Sequence, residues 1–274
     1  VTDNYLSDAR DDSGSLSFDE LTPRVSLLWS PIQAVNVYAT YSTSFETPTT
    51  TELRPTSANA AGFNTGLDAQ TADNYEIGVK GLLPGQISYD VAIYHIDVEN
   101  ELVPREDNTG WEFFENAGSS TRDGVEAAFS YQPSFIKGLT ASVAYTYSNF
   151  EYDQFENFSG NAIPGVPEHQ FFAELSYYHA SGAYAVFDVL HVGSLYANDA
   201  NTEQVDNYNV ANLRAGIDGQ FGDWEISPFI GINNIFDEEY FSNIRLNAFG
   251  GRYYEAAPVR NMYAGITMRY NFGE

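Results

Sequence analysis

Apolar and polar residues alternate with a period of two along most of the chain, the pattern of strands that bury one face. The clearest run spans residues 261–272, where even positions are apolar and odd positions include Thr267 and Arg269. Windows with the 3.6-residue period of a helix are rare. The pattern predicts about twelve strands. Their centres are expected near residues 5, 26, 38, 77, 92, 122, 145, 174, 190, 212, 229 and 266.

Two of these segments do not show which face is apolar. Residues 88–98 and 184–196 carry apolar side chains at both odd and even positions. Each is still predicted to be a strand, because it is rich in β-branched and aromatic residues. The side of the sheet that each residue faces stays open at this point.

The connections between the predicted strands alternate in length. Short turns are predicted at 31–33, 83–86, 132–138, 180–182 and 220–223, and long polar loops at 9–19, 44–72, 99–111, 152–167, 197–206 and 236–259. A two-sheet sandwich has no reason to sort its connections in this way. An outer-membrane barrel does, because its turns are short on one side of the membrane and its loops long on the other. The predicted fold is therefore all-β, an antiparallel transmembrane β-barrel.

Composition first suggests a soluble acidic protein. The 274 residues include 38 acidic and 12 basic side chains, a net charge of −26, and the mean hydropathy is −0.32. Such a charge argues against a nucleic-acid partner, which needs clustered Lys and Arg, and the absence of Cys excludes disulfides and thiol nucleophiles. A barrel explains the low hydropathy, because half of each strand faces a wet lumen. The alternative is a soluble carbohydrate-binding β-sandwich that uses its aromatic residues as core.

Candidate chemistry is sparse. The four histidines lack metal-ligand spacing, and no Gly-x-Ser-x-Gly elbow occurs. We therefore expect no catalytic residue, no metal site, no cofactor and no enzymatic activity. His95 and His191 fall in the middle of predicted strands, where each either lines the lumen or is a hydrogen-bonded polar group.

Several phrases in order along the chain carry a family resemblance. They are YSTSFETP at 41–48, NYEIGVK at 74–80, NAG at 116–118 followed by GVE at 124–126, NLRA at 212–215 and NNIFDEEY at 233–240. Together they resemble the C-terminal half of a TonB-dependent outer-membrane receptor of the siderophore-receptor type. The Asn and Glu residues of these phrases are expected to be structural, with Asn capping turns and Glu facing the lumen.

The resemblance implies a 22-stranded barrel around an N-terminal plug domain. Residues 1–274 would then be the C-terminal part of the barrel, with the plug and the first strands outside this sequence. It further implies a bacterial outer-membrane location and import of a scarce metal chelate, most directly a ferric siderophore. The implied partners are outer-membrane lipid and lipopolysaccharide, the chelate, and TonB acting through the plug. Cobalamin, haem, copper or a glycan stay open as cargo, and a self-contained 12-stranded porin, adhesin or hydrolase stays open as an alternative.

Ligand contacts are expected where aromatic and Arg side chains fall in the long loops. Aromatic rings bury large areas at low entropic cost, and Arg pairs with anionic chelates. Each of these residues has an alternative role in the aromatic girdle at the membrane surface. The candidates are Phe45, Arg54, Arg105, Trp111, Tyr152, Tyr240, Arg252, Tyr253 and Tyr254.

Overall fold

The structure is a computed structural model that describes residues 2–3, 14–58, 60, 62–116 and 118–272. A twelve-stranded sheet, in which every pair of strands is antiparallel, forms nearly all of it. The strands are β1 (Arg24–Ile32), β2 (Val35–Glu46), β3 (Gln70–Leu83), β4 (Ile87–Glu99), β5 (Ser119–Tyr131), β6 (Leu139–Gln154), β7 (His169–Tyr178), β8 (Ala183–Val192), β9 (Tyr208–Ile217), β10 (Gly219–Phe221), β11 (Trp224–Asn233) and β12 (Asn261–Tyr270).

Each strand pairs with the next in sequence, except that the short β10 continues β9, so both lie beside β11. Eleven of the twelve predicted strand centres fall inside these strands, which confirms an all-β antiparallel fold. The first predicted centre, near residue 5, lies outside the described residues. A separate two-residue pair joins Thr2–Asp3 to Gly14–Ser15.

The predicted alternation of connection lengths is confirmed among the described residues. Short turns join β1 to β2, β3 to β4, β5 to β6, β7 to β8 and β10 to β11 at one end of the sheet. The outer loops at the other end are residues 47–69, 100–118, 155–168, 193–207 and 234–260. Three of them contain small hairpins, and the last also contains the 3₁₀ turn Phe249–Gly251. The hairpins pair Leu102–Glu106 with Glu112–Asn116, Leu195–Tyr196 with Gln204–Val205, and Phe241–Ile244 with Tyr254–Ala256.

Over much of its area one face of the sheet is apolar, and no other part of the described chain covers it. In register across five strands it presents Leu27, Ala39, Ile77, Ile93 and Val125. Leu27, Ile77 and Ile93 are 70%, 49% and 53% exposed. A contiguous apolar surface of this extent is unfavourable in water and suits lipid. This face is therefore the outer, lipid-facing wall.

Strand register also settles the two segments that the alternation left open. In β4, Val91 and Ile93 align with Val79 and Ile77 on the outer wall. In β8, Phe187 aligns with Leu175 and Leu213, likewise on the outer wall. Their even-numbered neighbours face the lumen.

The possibility that His95 and His191 line the lumen is wrong. Alternate residues of a strand face the same side, which we call strand parity. His95 therefore shares the outer-wall face with Ile93, and His191 shares it with Phe187. His95 Nδ1 lies 2.7 Å from Asp123 Oδ1, and His191 Nδ1 lies 2.9 Å from Asn209 Oδ1. They are hydrogen-bonded polar groups, which was the alternative interpretation.

The sheet does not close on itself. Among the described residues, strands β1 and β12 each have only one neighbour, so both present an unpaired backbone edge. Among the described residues, no helix has the length and apolar character needed to cross a membrane.

On the lumen face, tyrosine rings lie flat over glycines of neighbouring strands. A Cβ added to Gly78 would lie 2.4 Å from Cζ of Tyr38, and one added to Gly124 would lie 2.2 Å from Cζ of Tyr94. Covering a strand glycine with an aromatic ring helps to fix register and to shield the backbone. The glycines of the EIGVK and GVE phrases therefore have a structural role.

Alanine substitutions at two glycines of the short turns are expected to destabilise the protein by different amounts. Gly182 and Gly85 have φ of +87° and +91°, so alanine is strained at both. A Cβ on Gly182 would lie 2.0 Å from the carbonyl oxygen of Asp218, whereas one on Gly85 meets nothing within 4 Å. We expect Gly85→Ala to cost about 1 kcal/mol and Gly182→Ala at least about twice that. Thermal unfolding of a detergent-solubilised, closed barrel that contains these strands measures both losses of stability, and equal losses would contradict the steric argument.

Candidate ligand-binding site at the outer mouth

The outer loops fold inward over the lumen face and pack on one another. Val103, Tyr152 and Phe155 form a buried cluster, with Phe158 and Ile163 packed against it. Tyr152 lies at the outer end of β6 and is 2% exposed, so the loops cover it.

A buried carboxylate joins three parts of this assembly. Asp199 is fully buried, and Oδ2 accepts a 2.7 Å hydrogen bond from Arg105 Nη1 while Oδ1 accepts a 3.0 Å bond from the Tyr152 hydroxyl. Arg105 Nε also lies 2.5 Å from Glu115 Oε1, and its guanidinium sits 4.6 Å from the Phe155 ring centroid. A paired and hydrogen-bonded charge of this kind locks the loops in one arrangement.

A second ion-pair group connects loop 100–118 to loop 234–260. The Glu106 carboxylate lies 2.8 Å from Arg252 Nη2 and 4.0 Å from Arg245 Nη2, and Arg245 also pairs with Glu112 at 2.5 Å. Both arginines are therefore neutralised by carboxylates of the protein.

The tip of the hairpin in loop 100–118 is fixed by local and cross-loop contacts. The Thr109 hydroxyl donates to Asp107 Oδ1, and this bond lowers the pKa of Asp107 below its ordinary value. Trp111 Nε1 donates to the Pro55 carbonyl at 2.8 Å, and the Arg54 guanidinium lies 4.0 Å from the Trp111 ring centroid. The hairpin tip is thus attached to loop 47–69.

Beside this braced region, two adjoining cavities of about 310 Å³ and 430 Å³ form a recess at the outer mouth. Both are lined by Tyr208 and Tyr240, whose rings stack with centroids 4.5 Å apart. The outer cavity adds Phe241 and Tyr254, which also stack at 4.5 Å. The inner cavity reaches the lumen face at Asp188. We call these two cavities the aromatic recess.

The charged groups of the aromatic recess are acidic. The Tyr254 hydroxyl donates to Glu203, and this bond raises the pKa of Tyr254 to about 12, so the hydroxyl stays protonated at neutral pH. Asp206 and Glu239 also line the outer cavity, and both are exposed. Neither carboxylate has an ion-pair partner within the described part of the chain.

The structure brings only some of the candidate ligand contacts to this recess. Tyr240 and Tyr254 line it, and Tyr253 packs against Tyr254 with centroids 5.9 Å apart. Phe45 shares strand parity with Tyr41, on the outer-wall face. The other candidates, Arg54, Arg105, Trp111, Tyr152 and Arg252, hold the loops together through the contacts described above.

Sequence reasoning missed several residues of the aromatic recess. Tyr208 begins a strand, Phe241 lies in a hairpin inside a loop, and Asp206 and Glu239 are two among many loop acids. No local sequence signal shows that loop 193–207 packs against loop 234–260, because the two loops are far apart along the chain. Within the described ranges, no three His, Asp or Glu side chains are placed to hold a metal ion.

Two Asn residues of the family-like phrases hydrogen-bond to loop backbone. Asn234 has a φ of +53°, its Nδ2 donates to the Glu238 carbonyl, and its Oδ1 accepts from the Glu238 amide. Asn116 Nδ2 donates to the carbonyls of Asp68 and Asn100. Both side chains therefore fix loop backbone.

An antiparallel sheet with an apolar outer wall, short turns at one end and braced loops at the other defines a wall of a transmembrane β-barrel. Residues 1–235 match the family model for the "TonB dependent receptor-like, beta-barrel". The chain belongs to this family of outer-membrane transport receptors of Gram-negative bacteria.

Known proteins agree with this assignment. The ferrioxamine receptor of Yersinia enterocolitica is 27% identical over 227 residues, which are 79% of this chain and 29% of the receptor. The ferric-pyoverdine BN7/BN8 receptor of Pseudomonas putida is 25% identical over 65% of this chain and 21% of its own length. The crystal structure of the ferric yersiniabactin uptake receptor FyuA from Yersinia pestis superimposes with a TM-score of 0.74 at 18% identity, covering 98% of this chain and 40% of FyuA. The chain thus spans less than a third of the curated relatives' length.

Proposed function

We propose that residues 1–274 form the C-terminal barrel part of a longer outer-membrane receptor that binds and imports a ferric siderophore. The observation that carries the proposal is the aromatic recess, which opens at the loop end of a barrel wall of this family. The names of the two receptor relatives, for ferrioxamine and ferric pyoverdine, support an iron-chelate cargo. In this proposal an N-terminal plug domain occupies the lumen and receives energy from TonB.

The proposed import has no covalent step. The chelate binds between the outer loops and the plug, and rearrangement of the plug then opens a path along the polar lumen face. The braced loops keep the aromatic recess formed before the ligand arrives, which reduces the entropic cost of binding. The apolar outer wall contacts outer-membrane lipid, and the loop end reaches the lipopolysaccharide layer.

A deletion strain tests the proposed function. We expect loss of the gene to abolish growth on one or a few ferric siderophores as the sole iron source, and to abolish uptake of radioactive iron from the same chelates. Uptake restored by the intact gene should disappear when TonB is deleted. Unchanged growth and uptake on a broad panel of siderophores would overturn the proposal.

Removing one ring from the aromatic recess should weaken binding without unfolding the receptor. In the intact receptor, Tyr240→Ala loses the stack on Tyr208, and we expect chelate affinity to fall about tenfold. Tyr240→Phe keeps the ring and should bind within about twofold of the unsubstituted receptor. Equilibrium binding to isolated outer membranes measures both variants, and equal affinity of the alanine variant would place the ligand elsewhere.

A further inference from the structure

Each arginine of the outer loops already contacts a carboxylate or an aromatic ring of the protein. Arg105, Arg245 and Arg252 pair with carboxylates as described, and Arg260 Nη2 lies 3.8 Å from Asp237 Oδ2. The two lysines of the sequence, Lys80 and Lys137, lie outside these loops. Within the described part of the loops, Arg54 has no carboxylate partner, and its guanidinium is stacked on Trp111.

The charged side chains that line the aromatic recess are acidic. Among the described residues, Asp206, Glu239 and Asp188 line the two cavities and no Lys or Arg does. Its ring faces carry negative quadrupole potential, which attracts an ammonium group and repels an anion. The aromatic rings and the carboxylates of the recess therefore both favour a positively charged ligand.

From this charge arrangement we infer that the recess selects ferric chelates without net negative charge and prefers one that carries a pendant ammonium group. The inference rests on the proposed function and adds the charge class of its cargo. A trihydroxamate has this chemistry, because three hydroxamate anions neutralise Fe³⁺ and a terminal amine adds one positive charge. A triscatecholate complex, with a net charge of −3, would meet unpaired carboxylates without a neutralising arginine. Such a ligand is disfavoured at close range even in salt.

A set of chelates that differ only at one end tests the inference. The probes are the ferric complex of a linear trihydroxamate with a free terminal ammonium, its N-acetylated form and its N-succinylated form, with charges of +1, 0 and −1. Binding is measured on outer membranes that contain the intact receptor. We expect the +1 form to bind about tenfold more tightly than the −1 form, with the neutral form between them. Higher salt should reduce this preference.

Substitutions in the recess identify the source of the preference. The double variant Asp206→Asn/Glu239→Gln should bring the +1 and −1 forms to within about threefold of each other. Glu99→Gln removes a charge that is also exposed, on the outer-wall face of β4, and should leave the preference unchanged. Tighter binding of the −1 form, or an unchanged preference in the double variant, would overturn the inference. If none of the three probes binds while another ferric siderophore of the growth panel is taken up, the inference fails. If no ferric siderophore of either set binds or is taken up, it is the proposed function that fails.

Discussion

Asp199→Ala is expected to release the outer loops from one another. The substitution leaves Arg105 facing Glu115 alone and removes the acceptor of the hydroxyl of the buried Tyr152. Breaking a buried ion pair by deleting one partner costs about 3–5 kcal/mol when the remaining charge is left unpaired. Arg105 keeps Glu115 as a partner, so we expect a loss at or below the lower end of this range. We expect this loss to appear as local opening of the loops, since the paired strands below do not depend on Asp199.

Limited proteolysis of intact cells measures this opening. Cleavage in loops 100–118 and 193–207 should rise at least tenfold for Asp199→Ala, while the barrel fragment remains resistant. Asp206→Ala is the matched control, because it removes an acid of the same loop that is exposed and has no ion pair in the described structure. Equal resistance of Asp199→Ala and the unsubstituted receptor would show that the ion pair does not hold the loops. Chelate affinity should fall with the loop opening, because the recess would no longer be preformed.

Strand parity predicted most of the fold because lipid imposes a simple rule on the outer wall. Every outward side chain in the membrane must be apolar, so β5, β6 and β12 alternate plainly in the sequence. The rule weakens where the lumen face is also covered. Val98 in β4 is 1% exposed and Val192 in β8 is 8% exposed, and both lie near the outer mouth. The sequence there is apolar on both faces, so parity alone could not assign the lipid side.

The aromatic recess, the proposed ligand site, was harder to predict because residue type does not show which contacts a side chain has already made. Arg105 and Arg252 were candidates as cations in long loops, yet Arg105 pairs with Asp199, 94 positions further along the chain. Conversely, Tyr208 was not a candidate because it opens a strand. Only the approach of loop 234–260 places Tyr240 against it. Loop-to-loop contact therefore decides which aromatic residues remain for a ligand.

A polypeptide of residues 1–274 expressed alone is expected not to insert as a stable barrel. In the part of the chain that the structure describes, the sheet ends on β1 and β12, each with one side unpaired. Leu27 and Met262 on these strands are 70% and 75% exposed. Each backbone group left unpaired in the hydrocarbon region costs several kcal/mol, and in water the same edges pair with other chains. Refolding in detergent should therefore give aggregates and no heat-modifiable monomer band.

The matched experiment is refolding of the intact receptor under the same conditions, which should give a compact band that shifts on heating. Adding the rest of the receptor's barrel to the 1–274 polypeptide as a separate chain should recover part of that band, because the added strands supply neighbours for both edges. A monodisperse, heat-modifiable species from residues 1–274 alone would contradict the argument and favour a self-contained 12-stranded barrel. Since an apolar outer wall is common to both architectures, closure of the two edges is the property that separates a receptor segment from a complete small barrel.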